Sequence, residues 1–127
     1  MKFIHAFVIF ILSCTAVHSH EMTPTYPELR PSYLTGLNSA KLNLFNRRED
    51  VKYYEIGVFD ENWNTIPFAS ISKIIELEYL DKKDFEIYVR SEDADRVTYI
   101  CTISKLIKDS SFNSNITSKI CSKVKRD

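Results

Sequence analysis

The chain has 127 residues, and seventeen Lys and Arg balance seventeen Asp and Glu, for a formal charge of zero. That balance excludes a strong electrostatic pull on nucleic acid. An aromatic share of 13% with only two glycines excludes disorder over most of the length.

Met1–Ser19 reads as a secretory signal peptide. Lys2 gives a minimal positive start, Phe3–Leu12 is an almost unbroken apolar run, and Val17-His18-Ser19 offers a cleavage site. The run is too short to span a bilayer. Cleavage after Ser19 leaves about 108 residues, enough for one domain with one core, at a charge of about −1. A rival reading is a lipoprotein box, Ile11-Leu12-Ser13-Cys14, with Cys14 as a lipid anchor. Either route leaves Cys101 and Cys121 as the candidate pair, expected as a disulfide in an oxidising compartment.

Residues 20–31 form a Pro-rich extended leader. Pro24, Pro27 and Pro31 forbid helix and favour an open or edge-strand path. From residue 32 to 127 the period is two. Ala40–Asn46 sets Leu42 and Leu44 against Lys41 and Asn43. Val51–Asp60 sets Tyr54, Ile56 and Val58 against Tyr53, Glu55, Gly57 and Phe59. Asp60-Glu61-Asn62 is a turn, and Trp63–Ala69 a short extended piece broken by Pro67. Ile71–Leu80 carries Ile75, Leu77 and Tyr79, and Asp81–Asp84 is expected to turn the chain. Phe85, Ile87 and Val89 alternate next, and Ser91–Asp95 is an acidic turn. Val97, Tyr99, Cys101 and Ile103 then alternate with Thr98, Ile100 and Thr102. Lys105–Asn115 is a polar loop, and Ile116, Ile120 and Val124 mark a weaker last strand. Turn signals every eight to twelve residues predict an all-β, immunoglobulin-like β-sandwich of about seven strands. If the last two strands are antiparallel neighbours, Cys101 and Cys121 face each other across the ladder.

Candidate chemistry is sparse. His5 and His18 leave with the signal, so a Ser-His or Cys-His site would have to use His20, which is expected in a frayed tail. Two cysteines twenty positions apart give no zinc spacing. Glu92-Asp93-Ala94-Asp95 lacks the length and glycine of a calcium loop and reads as a solvated turn. Asn115-Ile116-Thr117 is a glycosylation sequon. The basic run Lys119–Arg126 reads as a solvated strand end. Neither catalysis, nor a cofactor, nor a metal is expected. Tyr33, Tyr53, Tyr54, Tyr88 and Phe59 are either core or an aromatic contact surface, and one of Tyr53 and Tyr54 must lie outside the core.

The segment order resembles a known family. A Pro-rich entry carries Arg30. Leu42-Asn43-Leu44-Phe45-Asn46 follows, then YYEIGVFD over Tyr53–Asp60 with Trp63 after it. FEIYVR over Phe85–Arg90 and Val97-Thr98-Tyr99-Ile100-Cys101 complete the set. Together they resemble the N-terminal immunoglobulin-like domain of periplasmic pilus chaperones of the chaperone–usher family, from Pro27 to Lys125. The resemblance implies a single-domain relative that lends an edge strand to another exported protein, such as a filament or pilus subunit. Ile116, Ile120 and Val124 would be the groove-filling residues, interrupted by Ser118 and Ser122. It also implies a clamp for a terminal carboxylate, built from Arg30 and a Lys of the last strand. Lys119, Lys123 and Lys125 are the candidates for that Lys, with Lys123 favoured. This reading predicts an exposed last strand with Arg30 near one of its lysines, and it fails if the Ile116–Val124 edge is covered by the chain's own leader. The alternative is a structural or adhesive subunit with a closed sandwich and an exposed aromatic patch. A small secreted hydrolase ranks last.

Overall fold

A computed structural model describes residues 19–105 and 117–126. The signal segment with Cys14, most of the Lys105–Asn115 loop, the sequon's Asn115, and Ile116 lie outside the described residues. The described residues are all-β, with eight strands in two antiparallel sheets.

The first sheet contains β1 (Glu21–Thr23), β2 (Arg30–Pro31), β3 (Leu37–Phe45) and β6 (Lys82–Arg90). β1 and β2 pair with one side of β3, and β6 with the other. The second sheet runs β5 (Ile74–Glu76), β4 (Tyr53–Phe59), β7 (Tyr99–Lys105) and β8 (Lys119–Lys123). Alternation sets the inner faces: Ala40, Leu42 and Leu44 of β3 and Phe85, Ile87 and Val89 of β6 meet Tyr54, Ile56 and Val58 of β4. Of the adjacent tyrosines, Tyr54 is wholly buried and Tyr53 half-buried.

Two expectations are corrected. Asp81–Asp84 is not a turn: Lys82, Lys83 and Asp84 open β6 and pair with Phe45, Leu44 and Asn43. The turn comes earlier, closed by the Asp81 N–H donating to the Glu78 carbonyl. Only three residues of Ile71–Leu80 make a strand, and Tyr79 is exposed. Trp63–Ala69, expected as a short extended piece, carries isolated bridges at Thr65 and Ala69.

In β7 the core-facing set is Ile100, Thr102 and Ser104, because these stand directly opposite Val58, Ile56 and Tyr54. Two of the three are polar, so the alternation that marks this strand in sequence does not mark its inner face. Cys101 and Cys121 are partners in the β7–β8 register with Cα atoms 4.0 Å apart, and they form the disulfide. Ser104 donates to Ser118, and Val124 to Thr98, so even positions of β8 bond β7. The cystines therefore occupy a non-hydrogen-bonded position, where antiparallel Cα atoms come closest.

Candidate functional site: the seam between leader and last strand

The leader belongs to the sandwich. It begins as β1 on β3, crosses to β8, and returns to β3 as β2. It spends more residues between Thr23 and Arg30 than β3 does between Asn43 and Ser39, and the excess reaches the other sheet. There the Lys123 N–H donates to the Thr25 carbonyl (3.1 Å), the Lys125 N–H to the Pro27 carbonyl (2.8 Å), and the Ser122 hydroxyl to the Pro24 carbonyl (2.8 Å). Both strands advance by two between the backbone bonds, so this pairing is parallel. The expected free edge is therefore covered by the leader from Lys123 onward. Odd positions of β8, Lys119 and Cys121 included, direct their backbone groups away from β7, toward this same side.

The basic residues separate. The Arg30 guanidinium grips the Glu28 carboxylate through Nε (2.9 Å) and Nη2 (2.5 Å). Lys125 Nζ approaches the other oxygen of the same carboxylate at 3.5 Å. Arg30 and Lys125 thus converge on one carboxylate, and together they hold its pKa below the usual range, Arg30 by hydrogen bond first. Neither Lys119 nor Lys123 joins them. The Lys119 ammonium stands 4.4 Å from the Trp63 ring and 4.7 Å from Phe59. Lys123 lines a separate cavity of about 660 Å³ with Asp60, Arg96 and Arg126. Ile120 and Val124 pack on the protein's own core, with Val124 only 7% exposed. Ile116 is outside the described residues.

Beside the seam lies the outer face of the second sheet. Trp63 stacks on Tyr99 with ring centroids 4.1 Å apart and planes parallel to 1°. Trp63 is in the left-handed region (φ 64°), held by a loop in which the Asp60 carboxylate accepts from the Asn62 and Asn64 N–H groups. Phe59 lies over Gly57, where any Cβ would come within 2.7 Å of the ring. The result is an aromatic stack roofed by a lysine.

At one end of the core sits a buried polar chain that sequence reasoning missed. His20 is 1% exposed, not frayed. Its Nε2 lies 3.2 Å from the Thr102 carbonyl and its Nδ1 3.1 Å from the Ser118 hydroxyl. A carbonyl only accepts, so Nε2 carries the proton and Nδ1 accepts from Ser118. Arg48 Nη1 donates to the same hydroxyl (3.3 Å) while Nε and Nη2 hold Asp50. Burial pulls the imidazole down to about 4, against the upward effect of the Thr102 carbonyl and assisted by Arg48. Next to it the Tyr54 hydroxyl donates to Asn46 Oδ1 (2.5 Å), and burial raises that phenol to about 12. Asn46 Nδ2 completes the cluster by donating to the Val51 and Leu77 carbonyls. The signal available in sequence was polarity at positions of core parity, Thr102 and Ser104. The neutral, enclosed imidazole anchors the start of the leader.

The acidic turn is also committed. Asp93 pairs with Arg96 (2.6 Å) and Arg90 (2.9 Å), which lowers its pKa, Arg96 first.

With these two sheets and this seam in place, the structure is similar to the crystal structure of the E. coli chaperone DraB. The fold is chaperone-like. The match has a TM-score of 0.63 at 16% identity, over 86% of this chain and 54% of that one. The chain thus spans about half the length of that chaperone. No protein-family model and no curated protein matches the sequence. Among the described residues, no helix is long and apolar enough to cross a membrane.

Proposed function

We propose that this chaperone-like sandwich is an exported protein-binding module that takes an extended segment of a partner along the β8 edge. The partner's carboxylate is held between Arg30 and Lys125. One observation carries the reading: two cations from distant parts of the chain converge on the two oxygens of one carboxylate. Two Arg30 N–H groups on one oxygen with a second cation at the other is an arrangement that suits a carboxylate receptor. Export is supported by the Cys101–Cys121 disulfide and by the likeness to a chaperone. Action by contact rather than catalysis is supported by the commitment of His20 to a closed structural chain.

The test is affinity capture from the exported fraction with the wild type, Arg30→Ala, Lys125→Ala and Lys123→Ala. Loss of one specific partner in the first two variants, with retention in Lys123→Ala, is the expected result. Equal capture by all four removes the clamp from the function. A second reading, a structural or adhesive subunit, is favoured by the covered Lys123–Lys125 edge and the Phe59–Trp63–Tyr99 stack. It is supported instead if the partner is retained by the clamp variants and lost on Trp63→Ala.

A further inference from the structure

The seat assigned above to a partner is already filled by the chain itself. Thr25 and Pro27 supply carbonyls to the β8 edge, and Glu28 supplies the carboxylate to Arg30 and Lys125. We propose that residues 24–28 are an intramolecular stand-in for the partner, an autoinhibitory segment that an incoming chain displaces. This rests on the reading of the seam and clamp as the partner site.

Three features make the segment a stand-in that can leave. First, it makes only half of a ladder. In a regular parallel pairing, the residue whose N–H bonds Thr25 would accept at its own carbonyl from residue 27. That residue is Pro27, which has no N–H. A partner with an ordinary residue in this register makes the bond that the leader cannot. Second, the charge contact is exposed: the Arg30 side chain is 77% exposed and that of Glu28 40%. Exposed pairs are weak and exchange readily. Third, the ends of the leader stay in place without the middle. His20 is anchored on Thr102 and Ser118, Met22 sits in the core, and β2 is paired with β3. Displacing residues 24–28 therefore uncovers the buried Pro27 but leaves both anchors in place. The groove of about 420 Å³ beside the segment, lined by Tyr26, Pro27, Glu28, Arg30 and Lys41, gives it somewhere to go. The occupant implied is an extended segment, free of proline at this register, that ends in or carries a carboxylate.

The experiment uses a synthetic hexapeptide of alternating Thr and Val, prepared with a free C-terminal carboxylate and as the C-terminal amide. Each is titrated into the isotope-labelled mature protein, with the Lys123 and Lys125 amides and the Arg30 Nε–H followed by NMR. Glu28→Gln removes the stand-in charge without removing volume. The expected result is that Glu28→Gln binds the carboxylate peptide about three- to tenfold more tightly than the wild type. The amide peptide should gain less, and Arg30→Ala should bind weakly. Equal affinity in the wild type and Glu28→Gln, with Arg30→Ala still weakened, overturns the stand-in and leaves the clamp standing. No shift at these three sites in any variant, with thermal midpoints unchanged, overturns both.

Discussion

His20 links the start of the leader to pH, and the structure sets the size of the effect. An unfolded imidazole takes its proton near pH 6.5, while the enclosed one does so only near 4. Between those values the unfolded chain binds more protons, so stability falls as pH falls through that window. Below about pH 4 both states are protonated and the loss is complete. At full strength a fall of this size corresponds to about 3 kcal/mol. The chain of contacts runs out through Arg48 to the half-exposed Asp50, so solvent screens part of it. About 2 kcal/mol is the expected loss between pH 7 and pH 4, or about 8–10 °C in thermal midpoint for a domain of this size. Protonation also rewires the hydrogen bonds, because Nδ1 must then donate to the Ser118 hydroxyl, which has to turn its own proton away from the ring. The carboxylates with lowered pKa, Asp60, Asp93 and Glu28, contribute stability that is lost as pH falls through their folded values. His20→Gln leaves their contribution in place, so the difference between the two proteins reports the imidazole. Urea unfolding of the wild type and His20→Gln at half-unit pH steps isolates the effect. The wild type should lose about 2 kcal/mol more than the variant on acidification. Parallel curves for the two proteins would refute the enclosed-imidazole argument.

Other consequences are testable on the same protein. Replacing both Cys101 and Cys121 by Ser releases a cross-link that closes a loop of twenty residues. It should cost about 3 kcal/mol in denaturant unfolding under oxidising conditions, and no cost would show that the reduced chain already holds the two strands together. Asn46→Ala strands the Val51 and Leu77 carbonyls and the Tyr54 hydroxyl in the core, with an expected loss of about 2–4 kcal/mol, larger than that of Tyr54→Phe at about 1–2. Gly57→Ala should push the Phe59 ring off its site and alter the emission of Trp63, the single tryptophan, through the ring contact between them. An unchanged spectrum would mean the ring moves without disturbing the stack.

Much of the sandwich was legible because a strand's inner face is a local property. The alternation of Leu42 and Leu44, of Tyr54, Ile56 and Val58, and of Phe85, Ile87 and Val89 survives folding unchanged. The cystine pairing was legible for a related reason, since adjacent antiparallel strands joined by one loop put Cys101 opposite Cys121. The Asp81–Asp84 misreading came from charge: Lys82, Lys83 and Asp84 look like a turn, yet they lie on an exposed end of β6 whose backbone pairs with β3. Propensity describes the side chains of such a stretch and not its ladder.

The sequence by itself determined the inner faces of β3, β4 and β6, the disulfide and the presence of cations at both ends of the domain. Tertiary structure alone decided which of them meet. His20 and Ser118 are 98 positions apart, and only the crossing of the leader from one sheet to the other buries that ring. The same crossing brings Glu28 between Arg30 and Lys125 and leaves Lys123 facing a different cavity. Residue type sets what each group is able to hold. The path of twelve leader residues across two sheets sets what it holds, because a hydrogen bond or ion pair depends on a few ångströms that no local pattern encodes.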